Sequence, residues 1–172
     1  MSHTNDTKST FPLSMGCCNR CRTARFARGV SRKGEDAENL SSDAWKTVLS
    51  SEKDVGAYQV ALEKVNKAKV LEPNGAAILT TLGATQYRLG SYEDTLKTLA
   101  RSAQILSDAG EDPDPLNIAF RAMTLHKIGR AEEAKAALYR LRELCKDRPF
   151  AEDMEVQDLL AEAGKLIAGE QQ

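Results

Sequence analysis

The residues of this sequence best suited to chemistry are cysteines near its N-terminus. Cys17 and Cys18 are adjacent, and Cys18 forms a C-x-x-C pair with Cys21. A structural zinc ion needs four ligands, usually supplied as two separated pairs. Only His3, Cys17 and the distant Cys145 remain to complete such a site, so there is no second pair. The spacing therefore predicts no metal site, and without a strand and a helix around the pair it does not indicate a redox centre.

Catalytic groups are equally sparse along the rest of the chain. His126 has no serine, cysteine or aspartate at the spacing of a known catalytic motif, which favours a packing or groove role. The acidic loop 108–114 contains Gly110 but lacks the spacing of a calcium loop, in which the glycine is the sixth residue. No glycine-rich phosphate loop occurs. We therefore expect no catalytic residue, no metal and no cofactor, and we do not expect an enzyme.

Composition limits the partners that the chain can have. The 172 residues carry 24 basic and 25 acidic side chains, so no excess charge draws the chain to nucleic acid or anionic lipid. Aromatic residues make up only 5% of the sequence, too few to suggest a base-stacking surface. No apolar run approaches the roughly 20 residues of a membrane span. We expect a cytoplasmic all-α domain that binds neither nucleic acid nor a membrane.

The elements that position the remaining side chains are best defined between Leu82 and Leu106. Apolar residues recur there at helical spacing on both sides of Gly90, which predicts two helices joined by a tight turn. Glycine is suited to end the first helix because it adopts a left-handed conformation without steric cost. Ser91 is suited to cap the next helix, with Asp94 near its positive end. Two such short helices need neighbours of the same kind.

Similar turns occur on both sides of this hairpin. Gly56 precedes Gly90 by 34 residues, and Gly129 follows it by 39. A period of 34 residues is the length of a tetratricopeptide repeat, and the five extra residues are expected in the loop 108–114.

The sequence resembles the tetratricopeptide repeat family over about residues 42–145. The first unit matches the family pattern at Trp45, Gly56, Tyr58, Ala61, Ala68 and Pro73. The later units match less fully: Thr95 and Ser102 replace two expected alanines, and Arg121-Ala122 stands where Leu-Gly is usual. The resemblance implies an all-α fold, a right-handed α-α superhelix of three helix pairs at about 42–75, 76–109 and 115–148. A capping helix in 149–172 would complete it.

Local signals place the boundaries of these elements. Residues 1–38 carry little periodic apolar surface and are expected to be a disordered basic arm. Ser41, Ser42 or Asp43 is suited to cap the first helix, and Asp114-Pro115 should begin the fifth. The last helix should run over 154–168, and its acidic and basic side is expected to face solvent. The residues on that side are Glu155, Asp158, Glu162 and Lys165.

In this family the first helix of each pair lines a concave groove that binds peptides. Carried over position by position, the lining would be Lys46, Ser50, Thr80, Ala84, Tyr87, Arg88, Ala119, Met123, His126 and Lys127. A groove of apolar and modestly basic residues predicts an extended or helical peptide partner with some acidic residues.

Two functions follow from the resemblance. The first is a stand-alone adaptor that holds a protein partner through its repeats. The alternative is a detached C-terminal region of a large bacterial protein that carries kinase or WD40 domains, because several of the matched segments resemble the repeat tails of such proteins. Neither reading assigns catalysis to this chain.

Overall fold

A computed structural model describes residues 32–146 and 148–169, and in this part the chain forms eight helical segments and no strand. They are α1 (Arg32–Val48), α2 (Val55–Leu71), α3 (Ala76–Arg88), α4 (Tyr92–Asp108), α5 (Pro115–Lys127), α6 (Ala131–Leu144), α7 (Arg148–Ala151) and α8 (Met154–Ala168). The all-α prediction is therefore confirmed for the described residues. None of their helices has the length and apolar character needed to cross a membrane.

The helices pack mainly as pairs of chain neighbours. The closest pairings are α1 with α2, α3 with α4, and α5 with α6. Each later pair also packs on the one before it, through contacts of α3 with α1 and α2 and of α5 with α3 and α4. The last long helix, α8, lies against α5 and α6. The connections between helices are short, which favours such pairing of neighbours.

The turns inside the second and third pairs have the same geometry. Gly90 and Gly129 both have φ +79°, the left-handed conformation predicted for Gly90. The residue after each glycine donates its backbone N–H to a carbonyl five residues earlier, Ser91 to Gln86 and Arg130 to Leu125, both at 2.9 Å. These bonds satisfy carbonyls that the ends of α3 and α5 would otherwise leave unpaired. The α3–α4 and α5–α6 hairpins therefore share one turn geometry, a left-handed glycine followed by a backbone hydrogen bond to the preceding helix.

Buried positions repeat along the second helices of the pairs. The corresponding residues are Ala61, Thr95 and Ala134, then Val65, Leu99 and Leu138, then Ala68, Ser102 and Leu141, and all nine are buried. Their separations are the same 34 and 39 residues that relate the glycines. The first helices of the second and third pairs also correspond, because buried Thr85 and Thr124 each donate a hydrogen bond to the carbonyl four residues earlier.

Close packing inside the second pair depends on Gly83. A Cβ at this position would lie 2.5 Å from Cδ2 of Leu99 on α4. Non-bonded carbon atoms do not come that close, so a side chain at residue 83 would force Leu99 or the helices themselves to move. The equivalent of Gly83 in the third pair is Ala122, which is fully buried.

A polar network joins α3, α4 and the start of α5. The Asp114 carboxylate accepts the backbone N–H of Leu116 at 2.9 Å, which caps α5 as predicted. Its other oxygen accepts the Thr80 hydroxyl at 3.0 Å, and Thr80 is hydrogen-bonded in turn to Ser102 at 3.0 Å. Burial raises the pKa of Asp114, although its hydrogen bonds act in the opposite direction.

The structure corrects four local predictions. Helix α1 begins at Arg32, so residues 32–38 are helical rather than disordered, and residues 41–43 lie within the helix and do not cap it. Gly56 lies in the first turn of α2, which Asp54 caps instead. Ser91 makes no side-chain cap bond, because backbone bonds around Gly90 already form this turn. The remainder of the predicted arm, residues 1–31, lies outside the described residues.

Candidate functional site

Arg88, the last residue of α3, joins four helices. Its Nε donates to the carbonyl of Val48 at 3.0 Å, at the C-terminal end of α1. Its Nη1 and Nη2 donate to the two carboxylate oxygens of Glu162 on α8, the Nη2 bond measuring 2.8 Å. The guanidinium carbon also lies 5.5 Å from the centre of the Phe120 ring on α5. Only 6% of the Arg88 side chain is exposed, so these partners replace its contacts with water.

Two aromatic rings, those of Tyr87 and Phe120, lie against this guanidinium, and Trp45 packs on Phe120. We call Trp45, Tyr87, Arg88 and Phe120 the Arg88 cluster. Phe120 packs edge-on against Trp45 at 6.1 Å between ring centres and against Tyr87 at 5.6 Å. Arg88 lies 5.7 Å from the centre of the Tyr87 ring. Such edge-to-face and cation–ring contacts favour one fixed arrangement of the four side chains.

Two glutamates of α8 bind this cluster. Glu162 accepts the fork of Arg88, and Glu155 accepts the indole N–H of Trp45 at 2.9 Å. The two residues are seven positions apart, which is about two helical turns, so both carboxylates project from the same side of α8. Both were expected to face solvent. The helix α8 therefore reaches α1 and α3 through these two side chains, in addition to packing against α5 and α6.

The apolar residues of α8 anchor it in the core that the Arg88 cluster belongs to. They are Val156, Leu159, Ala163 and Ile167, and all four are buried. Their principal neighbours are α5 and α6. The helix is thus held by an apolar stripe along its length and by two charged hydrogen-bond acceptors beside that stripe.

The electrostatics of the cluster reflect its burial. Burial acts to lower the pKa of Arg88, but the hydrogen bonds and charge of Glu162 outweigh it and raise the pKa overall. Burial, with the nearby Glu162 carboxylate adding to it, raises the pKa of Tyr87 to about 12. Arg88 and Tyr87 therefore keep their protons at any physiological pH.

The predicted groove residues divide into two groups. Thr80, Ala84, Tyr87, Ala119 and Met123 are buried, and Arg88 is enclosed by its partners. Lys46 and Lys127 are exposed, while Ser50 and His126 are partly exposed. Most of the expected lining is thus buried: Thr80 lies in the polar network with Ser102 and Asp114, and Tyr87 and Arg88 lie in the Arg88 cluster. The peptide groove stays a prediction, and in this conformation it is not open.

One gap remains between α8 and the turn that joins α1 to α2. It encloses about 450 Å³. Leu49, Ser50, Ser51 and Glu52 form one wall, and Asp158, Ala161, Glu162 and Lys165 form the other. On this side α8 meets the rest of the chain across open space rather than through continuous packing.

Chemistry beyond binding has little support in the described part of the chain. Among residues 32–146 and 148–169, no three His, Cys, Asp or Glu side chains lie together as a metal site would require. Cys145 is buried, and burial raises the pKa of its thiol. The predictions concerning His3, Cys17, Cys18 and Cys21 fall outside the described residues.

Sequence reasoning identified Arg88 and Tyr87 but missed their partners. Glu155 and Glu162 share a side of α8 with Asp158 and Lys165, so the pattern alone indicated a solvated face. Nothing in the sequence pattern indicated that Arg88 would pack on the Phe120 ring. The one available signal was the spacing of the two glutamates beside the apolar stripe.

Comparisons with known proteins add no assignment: no protein-family model matches the chain, and neither the curated proteins nor the solved structures that were searched contain a match.

Proposed function

We propose that this protein is a non-catalytic protein-interaction module of the tetratricopeptide type, whose three helix pairs form a right-handed superhelix with a partner-binding inner face. The inner face is the surface contributed by α1, α3 and α5, with the Arg88 cluster at its centre. Repetition supports the repeat assignment: the turns at Gly90 and Gly129 are alike, and buried positions recur at the same spacings.

The observation that carries the binding function is the helix already seated on the inner face. α8 lies there with an apolar stripe in the core and two carboxylates on Trp45 and Arg88. A surface that holds one amphipathic helix in this way has the donors and the apolar contacts needed to bind another. The basic character expected of the groove fits this, because its central arginine binds a carboxylate.

Site-specific photocrosslinking in the source cells tests this proposal. A photoreactive amino acid replaces Lys46 or Lys127, which are exposed at the margins of the predicted groove. Matched controls carry it at Lys97 on α4 or Lys135 on α6, exposed positions on the second helices of their pairs. We expect one crosslinked product of the same partner from Lys46 and Lys127 and none from the controls. Products from the control positions alone, or from no position, would contradict the proposal.

A further inference from the structure

The position of α8 identifies the chemistry of a partner more closely than the fold does. We infer that α8 occupies the binding site of a partner helix, and that this partner is an amphipathic helix with two carboxylates seven residues apart. The inference rests on the proposed function above and specifies what its inner face recognises.

The polar half of the recognition depends on two donors that the fold holds in place. Trp45 has only its indole N–H to donate, and Arg88 presents a planar fork suited to a carboxylate. Arg88 is oriented independently of α8, because Val48 accepts its Nε and the rings of Tyr87 and Phe120 pack against it. Arg88 therefore keeps its direction when α8 leaves, and the Trp45 ring keeps its edge-on contact with Phe120.

A helix that replaced α8 without a carboxylate at the position of Glu162 would bury the Arg88 guanidinium without its counter-charge. Such an unpaired charge is strongly unfavourable, whereas a second carboxylate in the same place restores the pair. The site consequently discriminates between helices by whether they supply both acceptors. An apolar helix that lacks them would fill the surface and still leave Arg88 unsatisfied.

The apolar half sets the register of the partner. Counted from Glu155, the buried residues of α8 fall one, four, eight and twelve positions later, and Glu162 falls seven positions later. A partner helix with carboxylates at positions 0 and 7 and apolar residues at 1, 4, 8 and 12 would reproduce these contacts, and apolar residues at 5 and 11 would match the partly buried Leu160 and Leu166. The positions of Asp158 and Lys165 face the gap, so the partner's residues there are not constrained.

A partner helix must compete with α8, because α8 is tethered to the chain. Residues 145–153 link α8 to α6, so α8 competes at the high effective concentration of a tethered ligand, in the millimolar range for a short linker. A partner in solution binds only the fraction of molecules from which α8 has left, and its apparent affinity falls by that fraction. Weakening the contact of α8 with Arg88 should therefore strengthen the binding of an added helix.

The test uses the full chain and a fluorescent peptide of residues 153–169, with binding followed by fluorescence anisotropy. We expect the Glu162→Ala chain to bind this peptide about tenfold tighter than the native chain, or more, because hydrogen bonds to a charged group have about that effect. An Asp158→Ala chain, altered at an exposed acid that faces the gap, should bind like the native chain. A peptide with both Glu155→Gln and Glu162→Gln should lose the gain.

A second variant keeps the test decisive if Glu162→Ala unfolds the chain. The double variant Arg88→Met plus Glu162→Met removes the buried charge together with its partner, so it should fold but bind the peptide no tighter than the native chain. Tight binding by this variant, equal binding of the glutamine peptide, or no gain in folded Glu162→Ala would overturn the inference. Dimerisation of Glu162→Ala without peptide would overturn it in favour of α8 exchange between copies.

These outcomes separate the two proposals. The photocrosslinking at Lys46 and Lys127 does not involve the peptide, so a partner found there would stand even if the peptide failed to bind.

Discussion

Replacement of Arg88 by methionine and of Glu162 by glutamine, singly and together, measures the contact that holds α8 on the inner face. Methionine keeps the apolar contacts of Arg88 with the rings but removes all its donors. The Arg88 side chain is 6% exposed and that of Glu162 is 29% exposed, so water replaces the lost bonds poorly. We expect Arg88→Met to lower the free energy of unfolding by about 3 kcal/mol, because Glu162 and the Val48 carbonyl both lose a partner.

The coupling between the two substitutions is the sharper quantity. Two charge-assisted hydrogen bonds in a partly buried, forked arrangement should give a coupling energy of about 2 kcal/mol. Urea unfolding followed by circular dichroism and by Trp45 fluorescence supplies the four stabilities of the cycle. Trp45 is the only tryptophan in the sequence, so its emission reports on the cluster alone.

The chain offers a matched control for this cycle. Arg130 and Glu133, three residues apart on the surface, also form a two-bond pair, through Nε and Nη2 of the arginine, with side chains 50% and 53% exposed. Solvent-exposed pairs of this kind couple by only about 0.3–0.5 kcal/mol. A coupling for Arg88 and Glu162 no larger than that of the control pair would refute the conclusion that Arg88 fastens α8.

Three further predictions concern the packing and the buried ionisable groups. Gly83→Ala should lower the free energy of unfolding by about 1–3 kcal/mol, because the new Cβ would lie 2.5 Å from Leu99, and Leu99→Val should offset part of this loss in urea unfolding. The pKa of Asp114 is higher in the folded chain than in the unfolded chain. The stability that its protonated form contributes is therefore fully present below the ordinary aspartate pKa and is lost as the pH rises through the raised pKa. Asp114→Asn keeps the cap and should lack this loss, whereas Asp114→Ala should lose about 1 kcal/mol of capping, both measured by thermal unfolding at pH 4 and pH 7. Tyr87 keeps its proton to about pH 12, so the native chain should lose stability above about pH 10, by about 1 kcal/mol at pH 11, while Tyr87→Phe should not.

Each of these predictions has a clear opposing result. Unchanged stability of Gly83→Ala would show that α3 and α4 are not in close contact there. Parallel pH profiles for Asp114→Asn and the native chain would contradict the burial of that carboxyl. Coincident alkaline unfolding curves for Tyr87→Phe and the native chain would place the Tyr87 hydroxyl in water.

The sequence was most informative where a single residue type has a single physical role. Gly90 at the end of a helix and Asp114-Pro115 at the start of another were recognised correctly, because left-handed geometry and N-capping depend on local chemistry. The boundaries of α8 were also correct, since its apolar residues recur at regular helical spacing.

Prediction failed where small or polar residues, rather than large apolar ones, occupy the buried positions of a helix. The start of α1 was missed because its buried positions are Ala37, Ser41 and Ala44, which do not form an obvious apolar stripe. Ser41 is buried because its hydroxyl donates to Thr81 on α3 at 3.1 Å. Such a partner lies 40 residues away and cannot be read from local pattern.

The candidate site shows the same limit. Arg88 was assigned to a basic groove that meets an acidic partner, but the acid that it meets is Glu162 of the same chain, 74 residues further on. By residue type alone, any of the other Asp and Glu side chains in the sequence could have paired with Arg88. Only the packing of α8 against α5 and α6 brings Glu155 and Glu162, rather than other carboxylates, to Trp45 and Arg88.

The indole resonance of Trp45 tests most directly whether α8 lies on the inner face. The chain has one tryptophan, so its indole N–H gives one assigned signal in a proton–nitrogen spectrum. We predict slow hydrogen exchange at this proton, a large shift of its signal in Glu155→Ala, and almost none in the control Glu152→Ala, an exposed acid outside α8. Rapid exchange, with a signal that Glu155→Ala leaves unmoved, would contradict the account.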